Sequence, residues 1–287
     1  MSTPTTLSGR AKLAGVLGWP VGHSLSPRLH GYWLHHYQID GAYLPLAVKP
    51  DDLSRALRAL PVLGFRGANL TIPHKEPALA QVDEVTAAAR RIGAINTVIV
   101  APDGGLQGDN TDGFGFMANL AAAEPDWRAA TGPAVLLGAG GAARAIAVAL
   151  LDAGAPALRL INRTLARAEE LAAELGPKAS AVPWQERADA LDGAALLVNT
   201  TSLGMVGQPP LDVALDALPP NALVTDVVYA PLETELLAAA RARGQPVVDG
   251  LGMLLHQARP GFGAWFGVDP EVTTEQRAVV LAARAGD

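Results

Sequence analysis

The sequence contains no cysteine. Disulfides, thiolate nucleophiles and zinc–cysteine sites are excluded together, and a reducing compartment fits this absence without being proved by it. Charge is also sparse: Asp, Glu, Lys and Arg make up 17% of the 287 residues, with a formal net charge of −6. Lys and Arg form no run, and a general polyanion binder needs a dense basic surface, so nucleic acid is not an expected partner. No apolar stretch approaches the roughly 20 uninterrupted residues of a membrane span, so no membrane partner is expected either. Met1 to Gly9 are polar and Thr/Ser-rich. They lack the apolar core of a secretion signal, and a cytoplasmic location is the expectation. What the sequence does have is apolar material, at 49% of residues, the opposite of a disordered composition. Its 30 Gly and 22 Pro are scattered along the chain rather than gathered in tracts, which fits many tight turns between short elements. A chain of this length makes one large domain or two of ordinary size.

Strand and helix patterns alternate along the chain. Leu13 to Gly18 reads as a buried strand, and Ser26-Pro27 as a helix cap followed by Pro at the first helical position. Further strands read at Ala42 to Val48, Gly67 to Thr71 and Ile95 to Val100, with a helix at Asp51 to Leu60. A second unit starts after Thr131-Gly132-Pro133, with strands at Ala134 to Leu137, Leu158 to Ile161, Leu196 to Asn199, Leu223 to Val228 and Pro246 to Val248. Two helices close the chain, around Met253 to Gln257 and Thr273 to Ala283. Such alternation indicates an α/β protein with largely parallel sheets covered on both faces. The boundary is expected near Gly113 to Pro133, giving a first domain over residues 1–113 and a second over 114–249.

Gly138-Ala139-Gly140-Gly141-Ala142-Ala143 lies between a strand and a helix pattern, the context in which a glycine turn holds a dinucleotide pyrophosphate. An NAD-preferring site carries an acid about 20 residues on. This chain has Asn162-Arg163-Thr164 there, with Arg167 one turn along. Arginine pairs with a 2′-phosphate through its planar fork, so NADP is the expected cofactor. In the first unit, Ser24 and Ser26 place two hydroxyls at a helix start, suited to a carboxylate, although Ser26 serves equally as a plain cap. Lys75 follows a Pro-rigidified turn and can donate to a substrate oxygen or act as acid or base. His74 is its rival by adjacency. Asn96-Thr97 and Asn110-Thr111-Asp112-Gly113 are polar clusters beside glycine that fit turns or a polyhydroxylated ligand alike. With no cysteine and no clustered metal ligands, no metal is expected.

In order and spacing, these segments together resemble the shikimate dehydrogenase family, from about Leu13 to Phe266. Asp226-Val227-Val228-Tyr229 and Gly252-Met253-Leu254-Leu255-His256-Gln257-Ala258 agree with the same family. The resemblance implies an N-terminal three-layer α/β/α substrate domain, completed by the C-terminal helices at about residues 250–287. It also implies a Rossmann-type NADP-binding domain and a cleft between the two. It implies reversible NADPH-dependent reduction of 3-dehydroshikimate to shikimate, within aromatic amino-acid biosynthesis, by a monomer or homodimer. Lys75 and Asp112 would form the catalytic pair, which titrates as a unit, so the formal base stays open between them. Ser24 and Ser26 would hold the carboxylate, and Thr71, Asn96 and Gln257 the ring hydroxyls, with Tyr229 beside the substrate. Gly138, Ala139, Gly140, Gly141 and Ala142 would carry the pyrophosphate. Asn162, Arg163, Thr164 and Arg167 would hold the adenosine end with its phosphate, and Val227 and Gly250 would line the nicotinamide pocket. A quinate or dual quinate/shikimate dehydrogenase is the alternative on the same fold, and a non-catalytic NADP-responsive binding protein the alternative of another class.

Overall fold

The structure, a computed structural model, describes residues 6–285, and Met1 to Thr5 of the polar N-terminal stretch lie outside them. The chain divides into two compact units, Met1–Thr111 with Leu255–Asp287, and Asp112–Leu254.

In the first unit, strands β1 (Lys12–Gly18), β2 (Gly41–Ala47), β3 (Phe65–Leu70), β4 (Glu84–Val85), β5 (Thr97–Val100) and β6 (Leu106–Asp109) form a sheet in the order β2-β1-β3-β5-β6-β4. β1 runs parallel to both its neighbours, whereas β5 is antiparallel to β3 and β6. β5 starts at Thr97 rather than Ile95: Ile95 N–H leaves the sheet to donate to Lys75 O at 2.9 Å, whereas the Asn96 backbone still bonds both neighbouring strand ends, its N–H donating to Asp109 O at 2.9 Å and its carbonyl accepting from Leu70 N–H at 2.8 Å. Side chains alternate across a strand. On β3, Ala68 and Leu70 join Leu17 in a core with Leu53, Leu57 and Leu60 of helix α2 (Leu53–Val62) and Ala89 of α3 (Ala87–Ile92). Gly67 and Asn69 face the other way, toward the side covered by α1 (Ser26–His36).

In the second unit, β7 (Ala134–Leu137), β8 (Leu158–Asn162), β9 (Ala179–Pro183), β10 (Leu196–Asn199), β11 (Leu223–Asp226) and β12 (Val247–Val248) form a parallel sheet in the order β12-β11-β10-β7-β8-β9. This is the doubly wound Rossmann-type order, and it reverses direction between β7 and β10. Alternation again assigns the two faces. Ala134, Leu136, Leu158, Leu160, Leu196 and Val198 pack with Phe116 of α4 (Asp112–Ala123), Ile146 and Leu150 of α5 (Gly141–Asp152) and Leu171 of α6 (Leu165–Leu175). Val135, Leu137, Leu197 and Val224 pack on the opposite face with Leu191, Leu211, and Leu236 and Leu237 of α7 (Glu235–Ala242). β11 ends at Asp226 because the next free N–H, that of Val228, turns back to the Asp226 carboxylate at 2.9 Å.

The two C-terminal helices are α8 (Leu251–Phe266) and α9 (Thr274–Ala285), α8 continuing through Pro260 well past the expected end at Gln257. Its last turns belong to the first unit. Trp265 packs against Gly67, where an added Cβ would sit 2.2 Å from the indole nitrogen, and that nitrogen donates to Val98 O at 3.0 Å. Among the described residues no helix is long and apolar enough to cross a membrane.

Candidate functional site

Ser24 and Ser26 lie at the start of α1. Ser26 is not the cap that the sequence suggests. Leu25 holds that position, its carbonyl accepting from the N–H groups of Arg28 and Leu29 at 3.1 and 3.0 Å, and no side chain caps the helix. Helical bonding begins one residue early, so Pro27 falls second in the helix and the Ser26 hydroxyl is left for other partners. It faces Tyr43, while Ser26 N–H donates to Ser24 Oγ at 3.3 Å. Tyr43 stacks face to face on His30, with centroids 3.9 Å apart and planes at 2°. Burial pushes His30 down to about 3, against an opposing effect of Asn69, so its ring is a neutral aromatic platform.

From Tyr43 a hydrogen-bonded rail crosses the first unit. Tyr43 Oη donates to Asn69 Oδ1 at 2.6 Å, and Asn69 Nδ2 donates to Asn96 O and Thr97 Oγ1 at 3.1 and 3.2 Å. Asn96 Oδ1 accepts from Thr97 Oγ1 and from Thr111 N–H, both at 2.9 Å, and Asn96 Nδ2 donates to Gln257 Oε1 at 3.3 Å. Thr111 Oγ1 donates to Gln257 O at 2.8 Å. Two backbone groups orient both amides, because a carbonyl only accepts and an N–H only donates. Asn69, Asn96, Thr97 and Thr111 are all buried, and an unpaired polar group there would be costly, so the rail is rigid.

Thr71 and Lys75 extend this floor beyond β3. Thr71 N–H donates to Leu17 O at 3.0 Å, and its methyl covers Gly18, where a Cβ would lie 2.5 Å away. The Ile95 N–H bond to Lys75 O ties the lysine backbone beside Asn96. His74, the rival to Lys75, is 1% exposed with Nε2 2.8 Å from Val48 O, a core position. In the second unit, Asp112 is the buried first residue of α4. Tyr229 is half-buried just after β11.

The glycine loop has two kinds of glycine. Gly138, at φ +115°, would place a Cβ 2.4 Å from Thr200 Oγ1, so conformation and space both require glycine. Gly140 and Gly141, at the uncapped start of α5, would have nothing within 4 Å of a Cβ. The first-turn N–H groups of a helix have no intrahelical partner, and the exposed Gly140 and Gly141 leave an anion room to approach them. Ala139 and Ala142 are half-buried beside these glycines, and Ala143 is fully buried where the helix meets the sheet. At the end of β8, Asn162 Nδ2 donates to Thr164 O at 2.9 Å, and Arg163, Thr164 and Arg167 are exposed. Gly250 would place a Cβ 2.4 Å from Val227 O, so these two segments pass in close contact. This donor set fits a phosphorylated dinucleotide. Among the described residues no three His, Asp or Glu side chains gather as metal ligands.

Sequence reasoning assigned no role to Asn199, Thr200, Thr201 or the Asp226 carboxylate. Thr200 touches the glycine loop, and Asp226 accepts from Asn199 Nδ2 at 3.0 Å, Val228 N–H at 2.9 Å and Thr234 Oγ1 at 2.8 Å. Burial outweighs these bonds and raises Asp226 to about 6. The available signal was the polar run Asn199-Thr200-Thr201 directly after an apolar strand.

Residues 16–98 match the family model of the shikimate dehydrogenase substrate binding domain, and residues 120–205 match that of shikimate / quinate 5-dehydrogenase. A curated relative from Rhodospirillum rubrum, named shikimate dehydrogenase (NADP(+)), is 64% identical over 280 residues, covering 96% of this chain and 99% of its own. Shikimate 5-dehydrogenase of Thermus thermophilus, solved with NADP(H) and shikimate, is 39% identical with a TM-score of 0.83, covering 96% of this chain and 100% of its own. Quinate dehydrogenase of Corynebacterium glutamicum, solved with NAD, is 32% identical with a TM-score of 0.88, covering 95% and 99%. On this evidence of matched domains, identity and coverage, the chain belongs to the shikimate dehydrogenase family.

Proposed function

We propose that this protein is an NADP-dependent oxidoreductase acting on a CH–OH group, a shikimate dehydrogenase that reversibly reduces 3-dehydroshikimate to shikimate. The observation that carries this reading is the match, over nearly the whole of both chains, to a relative named for that activity with NADP(+). The rail from Tyr43 to Gln257, buried along its middle, supports it, because a small polyhydroxylated acid needs fixed donors along its length. Residues 1–113 with about 250–287 are proposed as the substrate-binding and catalytic domain, and residues 114–249 as the NADP domain.

In this proposal Ser24 and Ser26 hold the carboxylate, and Thr71, Asn96 and Gln257 hold the ring hydroxyls, with Tyr229 beside the ring. Asn96 reads its hydroxyl as a donor, since its Oδ1 is already taken by Thr97 and Thr111. The N–H groups of Gly138 to Ala142 hold the pyrophosphate, and Asn162, Arg163, Thr164 and Arg167 hold the adenosine phosphate. Val227 and Gly250 line the nicotinamide pocket. When bound, the nicotinamide supplies or takes the hydride. The Lys75–Asp112 pair gives a proton to the carbonyl oxygen in reduction and takes it from the hydroxyl in oxidation, with the formal acid and base open between the two. The proposed setting is the cytoplasm, as monomer or homodimer.

The test is the absorbance of reduced nicotinamide with shikimate or quinate, against NADP or NAD. Fast turnover with shikimate and NADP is expected. Quinate turnover without shikimate turnover would replace the proposed substrate, and no turnover with either would leave a binding protein.

A further inference from the structure

We propose that Asp226 and Asn199 are positioning residues for the nicotinamide half of the dinucleotide site, fixing the loops that follow β10 and β11. This rests on reading the second unit as the NADP domain. In a doubly wound sheet the ligand lies outside the C-terminal strand ends at the reversal point, here between β7 and β10. The loop after β10 therefore forms one wall of that crevice, and Thr200 already fills the space against Gly138 in the other.

A short chain of bonds holds this wall. Asn199 Oδ1 accepts from the N–H and Oγ1 of Thr201 at 3.0 and 2.7 Å, and Leu203 N–H donates to Thr201 Oγ1 at 3.0 Å. Asn199 Nδ2 donates both to Leu203 O at 3.1 Å and to Asp226 Oδ1 at 3.0 Å. The same carboxylate takes Val228 N–H and Thr234 Oγ1, which ties down the segment carrying Val227 and Tyr229. Asn199 is 0% and Asp226 1% exposed, so neither reaches a ligand directly. One buried carboxylate thus sets two loops at once, and among the described residues none of its hydrogen-bond partners is a cation. The adenosine end, at Asn162 to Arg167 after β8, lies on the opposite side of β7 in the sheet and shares none of these bonds.

The inference predicts a selective loss. Binding of NADP+ and of adenosine 2′,5′-bisphosphate, the adenosine half alone, is measured by calorimetry on the full chain. Asp226→Leu and Asn199→Ala are expected to weaken NADP+ by about 5- to 100-fold, the cost of ordering the released side chains and loops on binding. The bisphosphate should stay within about twofold of wild type. Asp226→Asn retains an acceptor oxygen and should rescue NADP+ binding. Equal weakening of both ligands would mean a general loss of structure, and unchanged NADP+ binding would mean no positioning role. Either result overturns the inference. If Asp226→Leu fails to fold, Asn199→Ala carries the comparison. Wild type failing to bind the bisphosphate would instead overturn the underlying dinucleotide reading.

Discussion

Arg163 stands exposed at the end of β8, and the segment Asn162 to Arg167 holds no acid. Replacing Arg163 and Arg167 together by Ala should weaken NADP by about 10- to 150-fold, from charge-assisted bonds worth roughly 1.5–3 kcal/mol, and leave NAD nearly unchanged. A double variant that kept the wild-type ratio of NADP to NAD affinity would place the phosphate elsewhere. Lys75→Ala should lower kcat by about 10²- to 10⁴-fold with little change in NADP affinity, measured by steady-state kinetics beside direct binding. Near-normal turnover would remove Lys75 from the chemistry. Asp226 makes a prediction of opposite sign to that of an ordinary paired carboxylate. Burial raises its folded pKa to about 6, well above the ordinary carboxylate value of about 3.9. The folded state therefore binds the proton more tightly, and stability falls as pH rises from about 4 to about 6. The charged form costs about 3 kcal/mol above that range, at roughly 1.4 kcal/mol per pKa unit. Asp226→Asn, neutral throughout, should be more stable than wild type at about pH 7.5 in urea unfolding, and the gain should vanish near pH 4. A variant less stable at both pH values would show that the carboxylate is favourably charged where it sits.

At the scale of elements, the loop between β7 and α5 separates structural glycine from functional glycine. Gly138→Ala meets Thr200 at 2.4 Å in a backbone conformation unfavourable to alanine. It should lower Tm and damage the crevice wall. Gly140→Ala meets nothing within 4 Å, so it should leave Tm almost unchanged while weakening NADP, because a methyl at the uncapped helix start narrows the room for the pyrophosphate. Thermal melts with and without cofactor check the contrast, and a large loss of Tm in Gly140→Ala would contradict it. Pattern alone located this loop, since a strand, a glycine turn and an alanine-rich helix are contiguous. It did not locate the neighbouring loop after β10. Asn199 to Thr201 reads as an ordinary turn until β10 is known to lie beside β7, a pairing between residues about sixty positions apart.

At the scale of the molecule, the two units should answer to different ligands. Saturating NADP+, at about 100 times its Kd, should stabilise the protein by about 2.7 kcal/mol. In hydrogen exchange its protection should fall on residues 138–142, 162–167 and 199–203. Shikimate should instead protect the segments around Ser24 to Ser26, Thr71 to Lys75 and Asn96. Protection by NADP+ confined to the shikimate segments would reverse the assignment of the two units.

What the sequence by itself determined is whatever neighbouring residues decide among themselves. The apolar run Ala134 to Leu137, bounded by Gly132-Pro133 and a glycine turn, reads as a buried strand, and that turn needs the positive φ that Gly138 supplies. The absence of an acid at Asn162 to Arg167 is likewise local chemistry. Tertiary structure decided what depends on groups far apart in the chain. Ser26 is released from capping because the carbonyl of Leu25 starts the helix, and its hydroxyl then meets Tyr43. His74 turns to Val48 and not to the site. Asn69, Asn96, Thr111 and Gln257 become one rail only once β3, β5 and α8 are assembled. The physical reason is the same in each case. A polar side chain takes its orientation from whichever partner burial leaves it, and burial is a property of the folded chain.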